Sequence, residues 1–188
     1  PGGNPGGRSG GRGGRDGGNP GGNPGGGRGG RGGRGRDPIC QSFDVDMPDG
    51  IFVTSIELFF KKKNSSAGVN VQLRTMENGY PTTTVLPFGE AFVEAADINT
   101  SDDASSGTLF VFPSPVYLNA YTRYAFMAES TSKEYEMYTA RMGQKTLDSN
   151  RLISKQPTLG GMFKSQNAST WTAEQNEDVK FTLNRALF

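Results

Sequence analysis

Ile51-Phe-Val-Thr-Ser-Ile-Glu-Leu-Phe-Phe-Lys-Lys62 is the stretch that decides the fold. β-Branched and aromatic residues dominate it, and a period of two puts Ile56, Leu58 and Phe60 on one face. Turn chemistry brackets it. Met47-Pro48-Asp49-Gly50 turns the chain before it, and Lys61-Lys62-Lys63 with Asn64-Ser65-Ser66 ends it in a solvated loop. The whole reads as a strand with one buried face.

Working outward, the same pattern repeats. Phe43, Val45 and Met47 alternate with Asp44 and Asp46. Val69, Val71, Leu73 and Thr75 alternate with Asn70, Gln72 and Arg74, and Glu77-Asn78-Gly79-Tyr80-Pro81 turns the chain. A short strand is expected around 88–93, and a polar surface loop over 97–107. The 109–112 strand is interrupted by Pro113 and Pro115, which suits an edge or a crossing between sheets. Segments 121–129 and 135–142 read as a strand pair, 159–163 is short and apolar, and 179–187 alternates as a final strand. No amphipathic helix of three turns is present. Eight to ten short strands predict an all-β chain: an antiparallel β-sandwich, jelly-roll-like. Residues 37–188 suffice to fill a single core between two sheets.

Residues 1–36 are different. Glycine fills 20 of these 36 positions, so the stretch cannot build a core of its own. Gly-Gly-Asn-Pro recurs at 2–5, 17–20 and 21–24, and Gly-Gly-Arg triplets space Arg28, Arg31 and Arg34 by three. Three descriptions fit. The first is a solvated linker. The second is an extended polyproline-II-like rod with those arginines on one edge, held against other subunits of an assembly. The third is an RNA-binding tail, although no aromatic residue precedes Phe43. The four-residue units break any collagen frame.

Charge divides at the same seam. Seven of the 20 basic residues and one of the 19 acidic ones precede Asp37, so the arm carries +6 and the body, with 13 basic and 18 acidic residues, −5. The arm is suited to an acidic surface, including the body of a neighbouring copy. The chain lacks histidine, which removes the commonest general base and metal ligand. A single cysteine, Cys40, excludes an intrachain disulfide and reads as a small apolar residue. No run of 18 apolar residues spans a bilayer, and no signal peptide or initiator Met opens the sequence, which is expected to be a segment of a longer polypeptide. No cofactor site and no catalytic group are expected.

Few constellations bear chemistry. Asp97, Asp102 and Asp103 offer oxygen ligands for a hard cation, but their spacing is not that of an EF-hand and Asx residues are ordinary in turns. Trp171 beside Asn167 and Gln166 has the composition of a sugar-binding face; the plainer account is that the indole plugs one end of the sandwich. Tyr117, Tyr121, Tyr124, Tyr135 and Tyr138 make either a recognition surface or, for Tyr124 with Phe126, core. Glu134 and Glu136 face water rather than forming an acid/base pair. Asn64, Asn99 and Asn167 each open an Asn-x-Ser/Thr triplet.

Ser42-Phe43, residues 50–60, Val71-Gln72-Leu73-Arg74, Asn78-Gly79-Tyr80-Pro81, Pro115-Val116-Tyr117-Leu118, residues 163–172 and Asp178-Val179-Lys180-Phe181 together resemble a β-sandwich module of tailed-bacteriophage structural proteins. The similarity covers nearly all of 41–188. The arm lies outside it and is similar to glycine-rich connectors of phage fibres. The resemblance implies a virion component of the tail baseplate or tail fibre, assembled in the host cytoplasm, and not an enzyme. Other virion proteins and copies of itself are the partners implied, with a homotrimer as the first expectation. A lectin-like host-attachment module recognising a surface glycan is the alternative, and an RGG-type RNA-binding protein the second.

Overall fold

The computed structural model describes residues 38–147, 149, 151–156 and 159–187. The described chain is all-β, with one short 3-10 turn at Ala95–Asp97. The strands are β1 (Ile39–Asp44), β2 (Ile51–Lys62), β3 (Val69–Glu77), β4 (Tyr80–Val93), β5 (Gly107–Leu118), β6 (Arg123–Ser130), β7 (Glu136–Met137), β8 (Thr139–Arg141), β9 (Met162–Lys164), β10 (Thr172–Glu174), β11 (Glu177–Val179) and β12 (Phe181–Arg185). The seam at 36/37 lies outside the described residues.

Two antiparallel sheets make the sandwich. One has the order β10-β9-β1-β6-β3-β4 and the other β12-β2-β5. β7 pairs with β2, and β8 with β11. Three nested pairs organise the main strands: β1 with β6, β2 with β5, β3 with β4. Such a ribbon, folded so that β3 also pairs with β6, is the winding of a jelly roll.

The core follows the sequence period. Val53, Ile56, Leu58 and Phe60 of β2 and Phe110, Phe112, Val116 and Leu118 of β5 are buried with Val69, Val71 and Leu73 of β3 and Tyr124, Phe126 and Ala128 of β6. Phe181 bridges the layers. Its ring meets Phe126 edge-on with centroids 4.9 Å apart and Phe43 at 6.3 Å.

Turns fall where their residues require. Asn78 and Gly79 have φ of 51° and 82°, the type I′ geometry that joins β3 to β4 in a two-residue hairpin. Gly50 donates its N–H to the Met47 carbonyl at 3.2 Å with φ of 71°. A Cβ there would stand 2.4 Å from the Leu118 carbonyl oxygen.

Three expectations change. The strand around 88–93 begins earlier, at Tyr80. The longer strand tolerates Pro87 because residues 86–89 bulge out opposite Leu73 alone, so the proline's missing donor costs no ladder bond. β5 likewise runs through Pro113 and Pro115, because 112–115 bulge opposite Thr54 on the sheet edge. Segments 121–129 and 135–142 do not pair with each other. The chain crosses between sheets after β6, and Tyr135 packs on Phe60 at 5.7 Å. Tyr138 then donates its N–H to the Phe59 carbonyl and accepts one from Lys180, tying β7–β8 to β2 and β12.

A polar pair is sealed inside. Gln41 and Asp178 are 0% and 1% exposed. The Gln41 amide donates to Asp178 Oδ1 at 3.0 Å, and its oxygen accepts the Val179 N–H at 2.9 Å. Asp178 Oδ2 has no partner among the described residues, and burial raises the carboxyl above its usual range against the lowering by Gln41.

Two predictions follow from this geometry. Gly50→Ala meets both strain and collision and should cost about 2–4 kcal/mol. Gly79→Ala meets strain in open space and should cost about 1–2 kcal/mol. Urea denaturation of both variants checks the order. For Asp178 the folded state holds its proton to higher pH than the unfolded chain. The destabilisation is therefore absent below the ordinary carboxylate range, grows as pH rises through the raised value, and is full above it. Asp178→Asn should remove that slope and gain about 1 kcal/mol at neutral pH. Denaturation of both proteins between pH 4 and 8 reads this as a gap that widens with pH; a constant gap counts against it.

Candidate functional site

The sequence singled out the segment around Trp171, and the structure folds it back over the outer face of the six-stranded sheet. Trp171 is 8% exposed and packs with Cys40 of β1, Ala125 and Met127 of β6 and Phe163 of β9 in a second, smaller core. Met76 and Ala168 flank it. Stacking on a pyranose needs an open indole face, and this one is covered. The Cys40 thiol in the same cluster is fully buried, and desolvation pushes its pKa up, so it is inert packing.

Asn167 holds the loop rather than a ligand. Its Oδ1 accepts the N–H groups of Ser169 at 3.0 Å and Thr170 at 2.8 Å and the Ser165 hydroxyl at 3.0 Å. Gln166 is exposed. Both line a cleft of about 810 Å3 with Lys133, Lys164, Glu129 and Tyr135, but Trp171 does not. The other two Asn-x-Ser/Thr triplets have the same local logic. Asn64 Oδ1 accepts the N–H groups of Ser66 and Ala67, and the Asn99 amide donates to the Gly107 carbonyl.

Arg74 pins this segment to the sheet, and sequence reasoning missed it. Alternation placed Arg74 on a solvated face with Asn70 and Gln72, yet it is 6% exposed. Its guanidinium donates to Gln72 Oε1 at 2.7 and 3.1 Å, to the Ala168 carbonyl at 2.9 Å and to the Thr82 carbonyl at 3.3 Å. Desolvation lowers its pKa, countered by the fields of the Glu129 and Glu90 carboxylates. The neutral acceptors match a planar fork, which is why arginine stands there. The only advance signal was an arginine as the one charge within the run from Val69 to Met76.

The acidic loop is not a cage. Asp97, Asp102 and Asp103 are exposed, and among the described residues no three His, Cys, Asp or Glu side chains gather to hold a metal ion. Asp103 Oδ1 accepts the Ser105 N–H at 3.0 Å, and the Ser105 hydroxyl first, with that N–H, holds its carboxyl below the usual range. A cation already serves the carbonyls there, since the Lys63 ammonium donates to Ala96 and to Ile98 at 3.2 and 2.7 Å. Ile98 between them is core.

The tyrosines also divide. Tyr124 is core, as its alternation with Phe126 implied, and its hydroxyl accepts the Asn119 N–H. Tyr135 donates to the Ala67 carbonyl, Tyr138 to Ser101 and Tyr117 to Asp49. These hydroxyls fasten loops, and Tyr121 projects into solvent. Glu136 pairs with Lys62 and Glu134 accepts from Asn64, both at the surface. Contacts of Arg28, Arg31 and Arg34 lie outside the described residues.

What remains open is surface. Outward from β5 point Leu109, Val111, Pro113, Pro115 and Tyr117, an uncharged row along the whole edge strand. Val111 is 61% exposed, and Phe52 of β2 extends the row against Tyr117 at 4.9 Å. A contiguous apolar row on a sheet edge marks a contact surface. No helix among the described residues is long and apolar enough to cross a membrane. Neither a protein-family model, nor a curated protein, nor a solved structure matches the chain.

Arg74 generates a test. Arg74→Met should cost about 2–4 kcal/mol, because it strands the Ala168 and Thr82 carbonyls and releases the loop. Arg74→Lys should recover little of it, since one ammonium cannot span these acceptors. Trp171 is the sole tryptophan. Its emission should therefore shift to the red in both variants; an unmoved spectrum and denaturation midpoint would refute the pinning.

Proposed function

We propose that the chain is a non-catalytic structural module of a bacteriophage tail, in the baseplate or a tail fibre, that assembles with copies of itself and with other virion proteins. The observation carrying this is the outward row of β5. A protein that works through a pocket has no use for an unbroken apolar stripe on a sheet edge, whereas a subunit buried in an assembly does. Pro113 and Pro115 interrupt the backbone donors of that edge, so contact through side chains is favoured over uncontrolled strand addition.

Three further features support the same role. The segments quoted above resemble a phage β-sandwich module over nearly the whole body. The buried polar groups Arg74 and Gln41 are spent on fastening loops and strands. The arm's +6 is opposite in sign to the body's −5, which favours contact between copies, each exposed ion pair adding only about 0.2–1 kcal/mol.

The test uses the full chain. Sedimentation velocity should show a homo-oligomer that Leu109→Lys with Val111→Asp reduces to smaller species, without loss of thermal stability since both side chains are exposed. Gold-labelled antibody against the chain should mark the tail end of particles of a phage that encodes it. A chain that is monomeric at every concentration and unlabelled particles would refute the role.

A further inference from the structure

A second cleft, of about 920 Å3, opens on the outer face of β3, β4 and β6. Its floor is apolar and its rim acidic. Phe88 and Phe92 of β4 line it at 62% and 57% exposed, with Leu86 beside them and Pro113 of β5 at its edge. Glu90, Glu94 and Glu129 supply three carboxylates, and no lysine or arginine among the described residues lines it. Register explains the grouping. Phe92, Asn70 and Glu129 stand side by side across β4, β3 and β6, and Glu90 stands opposite Gln72. Phe88 reaches the cleft because the 86–89 bulge turns it outward with φ of 59°, a conformation unfavourable for an aromatic residue.

Exposed aromatic faces ringed by carboxylates attract cations. A guanidinium gains twice there, by lying on a ring face and by pairing with a carboxylate, and a lysine ammonium matches that geometry less well. Arg74 lies nearby and its field reaches Glu90 and Glu129, but its donors are committed to Gln72, Thr82 and Ala168. Glu90 Oε1 accepts from Asn70 at 2.7 Å and Gln72 at 2.8 Å, which fixes that carboxylate on the rim.

We propose that this cleft receives the glycine-spaced arginine segment, residues 26–36, of a second copy of the chain. Charge complementarity selects it, since the arm is the strongly basic part of a chain whose body is acidic. Its composition fits as well. Two glycines between arginines let a backbone approach an aromatic wall closely, and in an extended three-fold form Arg28, Arg31 and Arg34 recur about every 9 Å on one edge. The proposal rests on the assembly role given above and names the surface that receives the arm.

The receptor for the test is the full chain bearing Arg28→Ser, Arg31→Ser and Arg34→Ser, so that its own arm does not compete. A fluorescein-labelled synthetic peptide of residues 26–36 is titrated by anisotropy, beside peptides with lysine or serine at the arginine positions. The arginine peptide should bind, the lysine peptide several-fold more weakly, and the serine peptide not at all. Phe92→Ser, and separately Glu90→Gln with Glu94→Gln and Glu129→Gln, should each weaken binding about tenfold or more, with unchanged melting temperature. Absence of binding, or binding indifferent to both sets of changes, overturns the proposal. Sedimentation of the unmodified chain separates two kinds of failure. If it self-associates while the peptide does not bind, the cleft assignment alone is wrong; if it is monomeric throughout, the assembly role falls with it.

Discussion

Everything in the body depends on the contact between the inward row of β2 and the strands it faces. Val53, Ile56, Leu58 and Phe60 are essentially excluded from solvent, and they meet Val71, Leu73 and Phe126 from the other sheet. A buried aliphatic or aromatic side chain contributes about 1.5–3 kcal/mol relative to exposure, so this row outweighs any single polar contact in the structure. It also fixes the register. A slip of one residue would send Ile56, Leu58 and Phe60 to solvent and bring Glu57 inside. The nested pairs β1–β6, β2–β5 and β3–β4 are the way a chain of this length covers both sides of that row with short connections.

That row is also why so much of the fold was legible. The limits of β2, the turn at Gly50 and the hairpin at Asn78-Gly79 depend on local chemistry: period, positive φ and hydrogen-bonding side chains. What was hidden depends on who covers whom. Arg74 obeys alternation and does point outward; only the return of the 165–171 segment, almost a hundred residues later, buries it. Trp171 beside amides fitted an end plug or, less plainly, a sugar platform; its burial against the outer face of the six-stranded sheet was hidden because composition does not say which surface covers an indole. The full length of β4 was hidden because a proline fits within a strand where a bulge removes the need for its N–H, and a bulge is set by the partner strand.

The candidate site was legible in the opposite sense. Of the residues that composition recommended for chemistry, Asn167 and Asp103 hold loops and Trp171 packs in a core, and the open surfaces were those that alternation treats as ordinary. An outward Leu109 or Val111 is unremarked in a single strand. Its meaning comes from five successive outward positions without a charge. The same holds for Phe88 and Phe92. Each alone is an exposed phenylalanine, whereas with Glu90, Glu94 and Glu129 across three strands they form a surface of defined chemistry.

The two free surfaces differ in kind, and that bears on how copies combine. An apolar row can meet the same row on a second copy about a two-fold axis, an isologous contact that closes after one pairing. A basic segment received by an acidic cleft is heterologous, since donor and receptor are different parts of the chain. Such a contact repeats until the rotation closes a ring, or continues as a filament. Its ion pairs are individually weak and screened by salt, so it gains strength by repetition around the assembly. In the proposed assembly the apolar row would supply affinity that salt does not erode, while the arm and cleft would supply direction. A chain with a +6 arm and a −5 body, and no histidine to retune either near neutral pH, keeps that direction across the physiological range.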